Sequence, residues 1–145
     1  MTESIPDAVA SVTVPHSPAR VWAALTDPAE IAQYFLGTRV ETDWQVGSPI
    51  VFRGEWQGKQ YRDHGEVLEF EPERTWRITH YSPLTGLPDV PENYHTLSYT
   101  IESVADGTSV TIRQGRNRSE DEVQHSEQLW GMVLDNLEKY LAQHN

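Results

Sequence analysis

The stretch that most constrains this chain is its last one, Ser119 to His144. Val123, Ser126, Leu129, Trp130, Val133, Leu134, Leu137 and Leu141 recur there at helical spacing and form one stripe. Gln124, Gln128, Asp135, Glu138, Lys139 and Ala142 fall on the other side. Ser119 followed by Glu122 has the form of a capping box, in which each side chain satisfies an amide at the helix start. No proline interrupts the run, so the spacing predicts one helix of about seven turns. A helix of that length with one apolar face needs a large apolar partner, which the rest of the chain has to supply.

That partner is written as strands. Ala8 to Val14 alternates, with Ala8, Ala10, Val12 and Val14 on one side, as a half-buried strand does. Ser17-Pro18 then starts a short helix that buries Val21, Trp22 and Leu25. Asp27-Pro28 with Glu30 starts a second, carrying Ile31, Tyr34 and Phe35 and stopped by Gly37. From Thr38 to Gly115 the period is that of strands. Ile50, Phe52, Gly54 and Trp56 share one parity, as do Trp76, Ile78 and His80, then Leu97, Tyr99 and Ile101, then Val110 and Ile112. Turn residues separate them at Gly47-Ser48-Pro49, Gln57-Gly58, Pro72-Glu73 and Asp106-Gly107. Gly65 to Phe70 is a further strand in which Val67 and Phe70 have opposite parity, so either a bulge intervenes or both faces are partly covered. Ser82 to Asn93, with three prolines, is the longest loop.

Consecutive strands joined by short turns make an antiparallel meander. Its outer face carries Arg53, Glu55, Arg77, Thr79, Thr100, Glu102, Thr111 and Arg113. Its inner face is apolar and lies against the long helix. The expected architecture is α+β, a single domain over residues 1–145.

Composition narrows the function classes. A formal charge of -11 from 22 acids and 11 bases repels phosphate backbones, which argues against nucleic-acid binding. The absence of cysteine excludes disulfides, thiolate metal sites and a cysteine nucleophile. The first residues are polar and no apolar segment approaches the ~20 residues of a membrane span, so a cytoplasmic protein is expected. The six histidines lack ligand spacing, and His64, His95 and His125 are placed on outward faces or element ends, so no metal or other cofactor is expected. No phosphate loop or nucleophile elbow is present.

The order of elements resembles the helix-grip fold of the START-like, or SRPBCC, superfamily, in which a curved antiparallel β-sheet wraps around a long C-terminal α-helix with two short helices after the first strand. Within it the chain is similar to the branch named for the activator of the heat-shock-protein-90 ATPase. The residues that carry this are Val21 to Pro28, Gly65 to Glu69 with Pro72, Gly107-Thr108 with Val110 and Thr111, and Trp130, Leu134, Leu137, Tyr140 and Leu141. Leu129 stands before Trp130 where the family often has Gly. The resemblance covers about Ala8 to Leu141.

It implies a space between sheet and helix that takes apolar or amphipathic small molecules. The wall residues expected are Phe52, Trp56, Trp76, His80, Tyr99 and Ile112, facing Ser126, Trp130 and Val133. Aromatics in such positions also simply fill cores. Against that, His80 and Tyr99 are polar groups set among apolar neighbours, which an orienting ligand site needs. Three readings stay open: a carrier of a hydrophobic molecule; a cyclase- or dehydratase-like enzyme using His80 and Tyr99, with Asp63 a weaker candidate; and a protein-interaction domain suggested by the co-chaperone resemblance. The Pro83 to Pro91 loop is either a lid or a stiff connection. Monomer and homodimer are both compatible with the sequence, the strand Thr108 to Gly115 or an outer sheet face being the pairing surfaces considered.

Overall fold

A computed structural model describes residues 5–144, apart from the side chain of Trp56. The chain runs β1 (Ala8–Val14), α1 (Pro18–Thr26), α2 (Pro28–Tyr34), β2 (Arg39–Glu41), β3 (Pro49–Trp56), β4 (Lys59–Glu71), β5 (Thr75–His80), β6 (His95–Val104), β7 (Gly107–Gly115) and α3 (Glu120–Gln143). The strands form one curved antiparallel sheet in the order β1-β7-β6-β5-β4-β3-β2. Strand β7 therefore lies between β1 and β6, with both of its edges already paired, and is not available to pair a second copy. The edges are β1 and the three-residue β2. At β1, the Val9 amide donates to Glu127 Oε2 of α3 at 3.0 Å, so the helix occupies part of that edge.

Local chemistry explains the helix ends. Ser17 Oγ accepts from the Arg20 amide and Asp27 Oδ1 from the Ala29 amide, and each cap is followed by proline at the first helical position. Ser119 Oγ likewise accepts from the Glu122 amide and starts α3. The reciprocal half of the expected capping box does not form. Glu122 Oε1 reaches past the cap to the Arg118 amide at 2.6 Å, because the same carboxylate is also held by His95.

The core lies between the sheet's concave face and the helices. Trp130, Val133, Leu134, Leu137 and Leu141 of α3 meet Val110 and Ile112 of β7, Leu97, Tyr99 and Ile101 of β6, and Trp22 and Leu25 of α1. Leu129, assigned to the buried stripe, is instead 38% exposed. Strand β4 is longer than the expected Gly65 to Phe70, and its first part pairs with β3 while its end pairs with β5. A register shift between Val67 and Glu69 is the bulge that lets both Val67 and Phe70 face inward. Gly65 sits at this bend, where a Cβ would fall 1.7 Å from the Thr79 carbonyl oxygen. Only glycine permits that approach.

Candidate functional site

Beyond the tightly filled core, sheet and helix diverge and enclose a cavity of about 270 Å3. Its apolar wall is Phe35 and Leu36 after α2, Phe52 of β3, Leu97 of β6, and Leu129 and Trp130 of α3, with Leu84 from the Ser82–Asn93 loop. Leu36, Leu84 and Leu129 are 44%, 54% and 38% exposed, which places three leucines at its mouth. The polar wall is Thr38, Glu55, Tyr61, Asp63, His80, His95 and Gln114.

Two imidazoles dominate the polar side. His80 and His95 are register partners on the adjacent strands β5 and β6. His80 Nε2 lies 3.0 Å from Asp63 Oδ2, and His95 Nε2 lies 3.0 Å from Glu122 Oε1. Burial holds the His95 imidazole below its ordinary range, although Glu122 works the other way. Burial also works to raise Glu122, but hydrogen bonds from His95 and the Arg118 amide outweigh it and hold the carboxyl below its usual range. The two shifts describe one arrangement, a neutral ring donating to an ionised carboxylate. Asp63 Oδ1 is the one fully buried side-chain polar atom without a partner among the described residues. Phe52 meets His80 edge-on, with ring centroids 5.4 Å apart.

Trp130 is fastened by a second polar network. Its Nε1 donates to Gln114 Oε1 at 3.0 Å, and Gln114 Nε2 donates to Asn117 Oδ1 at 2.8 Å and Ser126 Oγ at 2.9 Å. The indole is thereby held between Phe35 and Tyr99, both edge-on to it.

The expected wall residues divide. Phe52, His80 and Trp130 line the cavity, as does Asp63. Trp76 and Tyr99 stack on each other at 4.3 Å in the core, beside a void of about 10 Å3, and burial pushes the Tyr99 phenol well up. Ile112 and Val133 are wholly buried core residues. Ser126 serves Gln114, and the reading for Trp56 concerns a side chain outside those described. His95 does lie at an element end, as the first residue of β6, but its side chain points inward onto Glu122 and lines the cavity. The signal was available, since His95 shares the parity of Leu97, Tyr99 and Ile101, and Asp63 shares that of Tyr61, Gly65 and Val67. Asp89 accepts from Tyr94 and pairs with His64 at 3.0 Å, which ties the proline-rich loop to β4. Among the described residues no group of His, Asp and Glu is arranged to hold a metal ion, and no helix is long and apolar enough to cross a membrane.

This arrangement of sheet and helices agrees with what comparison with known proteins finds. Residues 15–142 match the family model described as activator of Hsp90 ATPase homolog 1-like protein. The chain belongs to that family. It is similar to ChR145 from Cytophaga hutchinsonii, whose solution structure shares 39% identity at a TM-score of 0.85 and covers 99% of this chain and 98% of that one. DynU16, described as a protein of the dynemicin biosynthetic locus, shares the fold at 23% identity and a TM-score of 0.78, over 97% of this chain and 48% of its own. The Aha1 dimer from Colwellia psychrerythraea shares it at 18% identity and 0.70, over 91% and 92%. No curated protein is matched.

Proposed function

We propose that this protein binds a small hydrophobic or amphipathic molecule in the cavity between the sheet and α3, and does so without transforming it. The observation that supports the reading is the cavity itself, about 270 Å3, with aliphatic and aromatic residues on one side, polar ones on the other and an apolar mouth. Ligand sites usually combine those features at ~300–1,000 Å3, so the occupant is a molecule of one or two rings or a short chain.

A thermal-shift screen against lipids, flavonoids and polyketide-like rings, read also by tryptophan quenching, tests it. A ligand present at ~100 times its dissociation constant should add ~2.7 kcal/mol of stability. Leu129→Trp, at the exposed mouth, should fill the entrance and abolish the shift in a protein that still folds. No shift with any of these classes would remove the reading.

One observation favours a second reading, a cyclase- or dehydratase-like enzyme using the same cavity. His80 oriented by Asp63 is the arrangement of a general base. His80→Gln distinguishes the two, since a base would lose roughly 10²–10⁴ in turnover while a carrier would keep most of its binding. The dimeric Aha1 relative makes a homodimer the assembly to test alongside, by sedimentation.

A further inference from the structure

The cavity's polar wall is unbalanced between donors and acceptors. Trp130 spends its only N–H on Gln114, and Gln114 spends both amide hydrogens on Asn117 and Ser126. His80 and His95 each direct Nε2 at a carboxylate, which when ionised only accepts. In a neutral ring that pairing puts the proton on Nε2 and leaves Nδ1 as a bare acceptor. Neither Nδ1 has a hydrogen-bond partner, and neither is sealed in, since Asp63 Oδ1 is the only fully buried orphan among the described residues. Glu55, on the outward parity of β3 and exposed, borders only the rim of the cavity. On the donor side stand only Thr38 and Tyr61, whose hydroxyls are 2.6 Å apart and use one of their two hydrogens on each other. Arg118, the cation beside this group, does not line the cavity and directs N–H groups at Glu122 and the Asn93 carbonyl, each at 3.1 Å.

We infer that the ligand brings the missing donors: its polar end is a hydrogen-bond-donating group, a hydroxyl or a protonated amine, received by the paired Nδ1 atoms of His80 and His95. A carboxylate end, as on a fatty acid, would meet acceptors and the carboxylates of Asp63 and Glu122, and is rejected. The inference rests on the cavity binding proposed above and narrows its ligand class.

Four probes of one shape test it by calorimetry on the full chain at pH 7.5: 2-naphthol, naphthalen-2-ylmethylamine, 2-methoxynaphthalene and 2-naphthoate. One of the two donor probes should bind about tenfold tighter than the methyl ether, the net worth of one well-placed hydrogen bond. Naphthoate should bind weakest. Whether naphthol or the amine leads identifies the donor as hydroxyl or ammonium. His80→Phe and His95→Phe, checked for folding by circular dichroism, should each reduce the donor preference while retaining the methyl ether. The probe series decides on the parent protein even where a variant fails to fold. Equal binding of naphthol, amine and methyl ether, or tightest binding of naphthoate, would overturn the inference and leave cavity binding intact. Failure of all four to bind would overturn both.

Discussion

His95 Nε2 and Glu122 Oε1, 3.0 Å apart, join the start of β6 to the first turn of α3 and close one side of the cavity. The same carboxylate receives the Arg118 amide, so one side chain serves helix start, sheet and cavity wall together.

This contact makes stability depend on pH. His95 in the unfolded chain binds a proton near its ordinary value of ~6.5, whereas burial holds the folded ring lower. Between those values the unfolded state carries more protons, so stability rises with pH. Glu122 is held low in the folded state by donors that outweigh its burial, and its contribution is present above the unfolded value and lost as pH falls through the folded one. Glu30 behaves likewise, because hydrogen bonds from Arg20 and Tyr140 outweigh a burial that acts to raise it. The signs agree: stability should fall as pH drops from about 7 to about 4, first through His95 and then through the two glutamates. Denaturant midpoints at pH 7.5, 5.5 and 4 check this, and His95→Gln should flatten the upper part most, while altering the Glu122 share of the lower part. A parent equally stable at the first two values would refute the assignment to His95.

The Trp130–Gln114 network should be strongly coupled. Gln114→Leu strands the indole N–H and leaves Asn117 and Ser126 without their donor, at about 1–3 kcal/mol for a buried orphan. Trp130→Phe strands Gln114 Oε1 instead. Since both changes break one network, the double variant should cost less than the sum of the singles by ~0.5–3 kcal/mol. Urea denaturation of the four proteins measures the coupling, and simple additivity would show that the network contributes nothing beyond packing.

Gly65→Ala should be among the most damaging small substitutions. The added methyl meets a backbone oxygen of β5, which no rotamer change relieves, so β4 and β5 have to separate at the bend. A loss of about 3 kcal/mol or more is expected, with lowered soluble yield. Wild-type stability for this variant would mean that the two strands do not approach so closely.

Much of the fold is legible in the sequence. The period of α3, the Ser119 cap, the Ser17-Pro18 and Asp27-Pro28 starts and the opposite parities of Val67 and Phe70 are local facts, and each became the element it implies. Strand β2 and Trp44 were not legible. A three-residue strand has too little period to see, and Trp44 joins the core only because its Nε1 finds the Thr26 carbonyl and its ring meets Trp76.

What the sequence determined alone was which residues share a face, Leu129 at 38% exposure marking the edge of one, because alternation and helical spacing act over a few neighbouring positions. It could not say which of those residues fill the core and which border open space. Trp76 and His80 share a parity on one strand, yet the first stacks on Tyr99 and the second borders the cavity. Only the tertiary structure decided that. A cavity is the volume left over where whole elements diverge, and the partners that orient its side chains, Asp63 for His80 and Glu122 for His95, arrive from residues 17 and 27 positions away.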